Sequence, residues 1–402
     1  MKTASIISRK PAEREWGAFK VLIGGILGMV VAMGIGRFVF TPILPLMQRD
    51  LGMTHTLAGW LAGLNYLGYL AGALFCSVAP QLLRRRLITG GALFASLATT
   101  VLMGFTASAV WWGGLRLVGG AASAILFIVI AAEVAEALGR RGYSHWVGAL
   151  YGGVGFGIAL SGIVVPQLDK AFGWDGAWIG MGIIAVILAI AGVTIGRKRE
   201  LIQPVNITLP NQSGGLRSIW LLVVAYFFEG LGYVVTATFI VAIITVTPGL
   251  AGFAPYSWVA VGLAAIPSTL VWPLLSRRFG CKRALMAAYA LQATGIMVST
   301  QADSLLEVLF VAVSFGGTFL GIVAMTLSEG NRRMQGDGRR AAAILTASFG
   351  VGQMLGPVIA GRLADLQAGF SIPLLLAGVS VLLGGALTAL DRRFQTGRFE
   401  AL

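Results

Sequence analysis

Three ionisable residues sit inside largely apolar runs: Arg37 in GIGRFVFTPILPLM, Arg116 in WWGGLRLVGGAAS and Glu229 in VVAYFFEGLGYVVT. A charge placed in a membrane span is costly, so such residues face other helices or a water-filled cavity and mark a pathway for substrate or ions. Glu229 is joined by Tyr226, Tyr233 and Thr236 at spacings of three, four and three, which puts all four on one face of a helix. A carboxyl in that position is neutral where water is excluded and ionises when the site is hydrated or an arginine approaches, which is the chemistry of a proton carrier. The alternative is a structural ion pair with Arg37 or Arg116. Arg37 can serve as the partner of Glu229 or as the grip on a substrate carboxylate.

These residues need a bilayer-spanning scaffold, and composition supplies one. The chain is 57% hydrophobic and 11% charged, with 56 glycines and a mean hydropathy of +0.84, which describes a polytopic membrane protein. A span needs roughly 20 apolar residues. Twelve stretches qualify, at 19–46, 54–80, 87–108, 110–136, 144–168, 174–196, 217–246, 254–275, 283–302, 305–328, 341–364 and 369–390.

The net charge of +14 reads as a topology signal and not as a nucleic-acid footprint. With the N-terminus inside, 25 of the 30 cations fall on the cytoplasmic side and only Arg49, Lys170 and Arg362 fall opposite; Arg37 and Arg116 lie within spans. That asymmetry predicts an inner-membrane protein with both termini cytoplasmic. Cys76 and Cys281 are too far apart in the predicted topology to pair, and no disulfide is expected. His55 and His145 fall near opposite faces, so the sequence suggests no metal site, and no phosphate-binding loop or other cofactor motif is present. The Gly152 to Gly157 run follows no predicted strand and is expected to serve close helix packing.

The longest polar break, RKRELIQPVNITLPNQSGGLR, separates spans six and seven. Residues on either side correspond at a nearly constant offset of 196 or 197: Gly34 and Gly36 with Gly230 and Gly232, Gly119 and Gly120 with Gly316 and Gly317, Gly153 and Gly155 with Gly350 and Gly352, and Arg85 with Lys282. This predicts a duplicated six-helix unit: an N-terminal half at 1–196, a cytoplasmic linker at 197–216 and a C-terminal half at 217–402. Arg37 then lies about one turn beyond Met33, the counterpart of Glu229. Glu133 and Glu329 also correspond, near cytoplasmic helix ends, where a solvated ion pair with loop arginines is expected.

Two parallel six-helix halves around a central site form an architecture of alternating access, and this organisation resembles the major facilitator superfamily. The superfamily's loop motif, Gly-x-x-x-Asp-Arg-x-Gly-Arg-Arg, survives in its second copy as Ser276, Arg277, Arg278, Phe279, Gly280, Cys281, Lys282, Arg283, and is reduced in the first to Gln81, Leu82, Leu83, Arg84, Arg85, Arg86. Both copies lack the acidic residue, so the charge latch that it implies is not expected here. Arg116 followed by Leu117, Val118, Gly119 and Gly120 resembles a second superfamily motif. GIGRFVFTPILPLMQRDLG with TLAGWLAGLNYLGYLAGAL is similar to the YbfB/YjiJ-type branch.

The resemblance implies an all-α membrane protein of twelve transmembrane helices in two pseudo-symmetric bundles, with spans one, four, seven and ten lining the cavity. On those spans stand Arg37; Arg116, Gly120 and Ser123; Tyr226, Glu229, Tyr233 and Thr236; and Ser314, Thr318, Met325 and Ser328. Asn65, Tyr66, Tyr151 and Gln353 come from spans two, five and eleven. The expected proton-coupling set is Glu229, Arg37 and Arg116. The expected substrate set is Arg37, Asn65, Tyr66, Tyr151, Tyr226, Tyr233 and Gln353. Arg84, Arg85, Arg86, Arg277, Arg278, Lys282 and Arg283 are expected to gate. The expected activity is proton-coupled efflux of a small organic solute by a monomer in the lipid bilayer. The alternatives are proton-coupled import of an organic anion and a non-transporting sensor with the same fold. No span carries a nucleophile with its base, which argues against an enzyme.

Overall fold

The structure is a computed structural model that describes residues 11–196, 215–334 and 337–394, and its regular elements there are all helices. Most of the expected linker and both chain ends lie outside the described residues, as does the side chain of Arg84. Helix α1 (Pro11–Met29) runs into a π-helical turn, Val30–Ile35, and after residues 36–39 the chain resumes as α2 (Phe40–Leu51). There follow α3 (His55–Val78), α4 (Arg86–Leu102), α5 (Ala109–Gly139) and α6 (Gly152–Gly196). Beyond the undescribed stretch come α7 (Trp220–Val246), α8 (Ala254–Phe279), α9 (Cys281–Val298), α10 (Leu305–Arg333), α11 (Gly338–Gln367) and α12 (Ser371–Leu390).

Ten helical runs among the described residues are long and apolar enough to cross a membrane, against the twelve spans expected. The difference falls in two places. Residues 144–168 and 174–196 were expected as separate spans, and they form one continuous run. Its 45-residue helix α6 would extend over about 67 Å, more than twice the ~30 Å hydrocarbon layer. Gly173, at φ 76° and ψ −175°, breaks it with a backbone conformation open to glycine. The second place is α9, whose 18 residues include Lys282, Arg283 and Gln292 and are correspondingly less apolar.

Contacts between the helices before and after the undescribed stretch are set by glycines. Gly59 of α3 lies so close to the Pro357 carbonyl of α11 that a Cβ there would collide with it, and Gly162 of α6 packs on Pro255 and Val259 of α8. An offset of 196 carries Gly59 to Pro255 and Gly162 to Val358, the neighbour of Pro357, so the two contacts are images of each other. Thr41 Oγ1 of α2 donates to the Ala237 carbonyl of α7 at 2.6 Å, a bond between residues 196 apart. In the Gly152 to Gly157 run, Gly153 meets Ile26, Gly155 meets Gly262 and Gly157 meets Gly34. These glycines serve helix packing, as expected.

Candidate functional site

Arg37 follows directly on the π-helical turn. The amides of Gly36 and Phe38 reach back five residues, to the Val31 and Met33 carbonyls at 2.9 and 3.1 Å. The irregular turn swings the arginine off the regular register of its helix, and such turns recur at functional sites. Arg37 is 5% exposed, and its guanidinium carbon stands 4.0 Å from the Tyr69 ring centre, 4.6 Å from that of Tyr66 and 5.6 Å from that of Phe38. Its Nε and Nη2 are buried without a hydrogen-bond partner. A guanidinium held by aromatic faces with Nε and Nη2 unspent is equipped to receive a planar anionic group.

Across from it, α7 and α11 present Tyr233 and Gln353, with the Gln353 amide donating to the Tyr233 hydroxyl. Tyr233 stacks on Phe349 at 5.3 Å and on Phe315 and Phe319 at 6.1 Å. It interacts electrostatically with Arg37, Tyr66 and Glu229. Tyr226 stacks on Phe349 at 4.2 Å, and Tyr151 interacts with Tyr69. Arg116 lies 4.6 Å from the Phe40 ring centre, with Nε toward the Leu61 carbonyl at 3.4 Å. Asn65 Nδ2 donates to the Arg116 carbonyl at 2.9 Å, which ties α3 to α5 behind the site.

Glu229 is 1% exposed, and no cation lies within 4 Å of its carboxylate among the described residues. Oε2 has no hydrogen-bond partner. Its neighbours are Gln292 and Tyr289 of α9. The carboxyl thus faces α9 among the C-terminal helices. The ion pair with Arg37 or Arg116, one of the two sequence readings of Glu229, is not formed in this structure.

Span ten also differs from the cavity lining expected of it. Ser314 packs against Gly295 of α9, Thr318 bonds back to the Ser314 carbonyl at 2.6 Å, and Ser328 is exposed. The groups that α10 contributes to the Tyr233 stack are Phe315 and Phe319, because residues one helical position away project in a different direction. Tyr69, Gln292, Tyr289 and Thr326 were not singled out from the sequence. Tyr69 was signalled by its three-residue spacing from Tyr66, and Gln292 by its amide in an apolar stretch.

Arg85, Arg86, Arg277, Arg278 and Arg283 are exposed at one end of the molecule. Lys282 Nζ donates to the Asp391 carbonyl at 3.1 Å. Nearby, Glu329 pairs with Arg332 at 2.6 Å and with Arg333 at 2.7 Å, and Arg333 pairs with Asp391 at 2.5 Å. Glu329 is buried and not solvated as expected, since α10 ends against the chain leaving α12. A charge network therefore joins these helix ends although the loop motif lacks its acid. Asp391, from outside the motif, supplies the carboxylate. At the opposite end, Asp365 of α11 accepts from the first amides of α3, His55 at 3.1 Å and Thr56 at 2.7 Å.

A family model described as "Uncharacterised MFS-type transporter YbfB" matches residues 29–389. The "Probable transporter SCO4007" of Streptomyces coelicolor (strain ATCC BAA-471 / A3(2) / M145) is 26% identical over 286 residues, covering 64% of this chain and 62% of that protein. The crystal structure of a mutant of the nucleoside transporter NupG superposes with a TM-score of 0.74 at 16% identity, over 93% of this chain and 99% of that one. A second NupG crystal structure gives 0.69 at 14% identity, over 93% and 98%. At these identities the likeness is one of fold.

Proposed function

The chain belongs to the YbfB-type family of major facilitator transporters, and from that premise we propose that it is a secondary active transporter exchanging a small organic solute for protons by alternating access. The observation that carries the reading is a pair of buried groups that both interact electrostatically with Tyr233: an aromatic-held Arg37 with Nε and Nη2 unspent, and a fully buried Glu229 with no cation within 4 Å among the described residues. A buried carboxylate without a cation is too costly to hold charged, so Glu229 binds a proton in this closed arrangement and loses it when the site hydrates. Tyr233, which interacts electrostatically with both groups, is the element through which solute and proton sense each other.

In this proposal Arg37, Asn65, Tyr66, Tyr151, Tyr226, Tyr233 and Gln353 form the solute site, and Arg116 adds positive potential beside it. The protein works as a monomer of twelve spans, with α6 crossing twice around Gly173 and α9 crossing once. The image-related contacts of Gly59 and Gly162, and the Thr41 to Ala237 bond, support a duplicated pair of halves at 1–196 and 217–402, joined by a linker at 197–216. The basic end faces the cytoplasm of an inner membrane, and the direction of transport is export. Import of an organic anion is the second reading, favoured by the unspent N–H groups of Arg37. Proteoliposomes under an imposed pH gradient of either polarity separate the two. Outward proton-driven solute movement supports export, inward movement supports import, and no flux with any of a panel of organic acids and neutral solutes supports a sensor.

A further inference from the structure

A crevice enters the C-terminal helices from the end opposite the arginine-rich loops. Thr247, Ser299 and Ala302 stand at its mouth, Ile240, Val308 and Leu374 line it, and Thr236 lies at its floor. It has room for about two water molecules. Thr247, Ser299 and Ala302 are half-buried, beside the exposed Gln301 and Asp303, while Thr236 is 1% exposed. Thr236 stands seven residues beyond Glu229, which places it on the same face of α7 and about 10 Å along the axis.

Polar atoms without hydrogen-bond partners mark the line from the crevice floor inward. They are Thr236 Oγ1, Glu229 Oε2, both amide atoms of Gln292, Tyr289 Oη and Thr326 Oγ1, all buried. Two other buried hydroxyls in these helices are satisfied: Thr238 bonds the Val234 carbonyl at 2.8 Å and Thr318 the Ser314 carbonyl at 2.6 Å. Orphaned buried polar groups cost about 1–3 kcal/mol each, and this set on α7, α9 and α10, with Gln292 beside Glu229 and Thr326 beside Tyr289, is one that bridging water can complete. Tyr226 and Tyr233, which share a helix face with Glu229, stack on Phe349 at 4.2 and 5.3 Å and form an aromatic wall beside it. The titratable groups that interact electrostatically with Glu229 are Tyr226 and Tyr233 of its own helix and Tyr289 of α9, and Gln292 is its polar neighbour. Among the described residues, α10, α11 and α12 bring no cation within 4 Å.

We propose that Glu229 takes up its proton through this crevice inside the C-terminal helices and not through the cleft that holds Arg37. A proton passes from crevice water past Thr236 to the Glu229 carboxylate, forming the O–H bond there. Tyr289 and Thr326 continue the polar line toward Glu329 one turn along α10, the direction in which release to the other side completes a transfer. Proton and solute then travel by separate routes and meet only across Tyr233. The inference rests on the reading of Glu229 as the proton carrier.

The test uses the full chain in lipid nanodiscs and protons as the only ligand. Infrared difference spectroscopy after a pH jump follows the carboxyl band that Glu229→Gln removes. Ala302→Trp closes the mouth, and Thr236→Val removes the floor hydroxyl at nearly constant volume. Both should slow the appearance of the band by about tenfold, with its final amplitude unchanged. Wild-type rates in Thr236→Val and in whichever plug variant folds would overturn the separate route while leaving Glu229 as a proton carrier. If no pH-dependent band vanishes in Glu229→Gln, the carrier reading itself falls and takes the route with it.

Discussion

Removing Asp365 should open the molecule at the end opposite the basic loops. Its carboxylate accepts from the amides of His55 and Thr56 at 3.1 and 2.7 Å, so a residue at the end of α11 caps the start of α3. The bonds are solvent-exposed, and water replaces part of what Asp365→Ala removes. The loss is that of a helix cap with its favourable helix-end charge, about 1–2 kcal/mol. That changes the ratio of closed to open molecules by roughly 5- to 30-fold. Spin labels on cysteines replacing the exposed Lys170 and Gln367, with Cys76 and Cys281 changed to serine, report the separation of the two sides by pulsed electron resonance. Asp365→Ala should populate a longer distance, and Asp365→Asn, which keeps one acceptor, should fall between it and the wild type. An unchanged distance distribution, or a shift to shorter distance, would refute the capping argument.

Asp391→Ala removes one of two carboxylate partners of Arg333, whose side chain is 4% exposed and keeps Glu329, so about 2 kcal/mol of stability should be lost, read as a lower unfolding temperature in detergent. Arg37→Lys keeps the charge but gives up the planar contacts with Tyr66 and Tyr69, and should weaken binding of carboxylated solutes about tenfold more than neutral ones in a competition assay. Neutralising Lys282 and Arg283 together should lower turnover and leave the order of solute affinities intact, because both lie at the basic end and not at the centre; a reordered profile would place them in recognition.

The three charges that identify the centre were legible because each interrupts an apolar run, and the glycine offsets picked out positions that prove to be close helix contacts, Gly34 with Gly157, Gly155 with Gly262 and Gly230 with Phe349, whereas the contacts of Gly59 and Gly162 lay outside those offsets. Helix periodicity placed Tyr226, Glu229 and Tyr233 on adjoining positions but could not say that Tyr233 turns toward Arg37 while Glu229 turns toward Gln292. That choice depends on which neighbour covers each side of α7. The π-helical turn before Arg37 has no signature in VVAMGI, since it arises from backbone bonds reaching five residues back. Asp391 and Asp365 were overlooked for a related reason. Each lies at a helix end that reads as surface, and its value comes from a partner 58 or 310 residues away. Hydroxyl content is a weak guide to the lining of α10, because a residue such as Thr318 satisfies its hydroxyl within its own helix.

The claim that Glu229 couples solute to protons is tested most directly by Glu229→Gln in proteoliposomes, using a solute that the wild type accumulates against its gradient when a pH difference is imposed. Glutamine fixes the uncharged form of the side chain. The account predicts that the variant loses uphill accumulation and its pH dependence, yet still exchanges labelled for unlabelled solute across the membrane. Uphill transport by Glu229→Gln with the pH dependence of the wild type would contradict it.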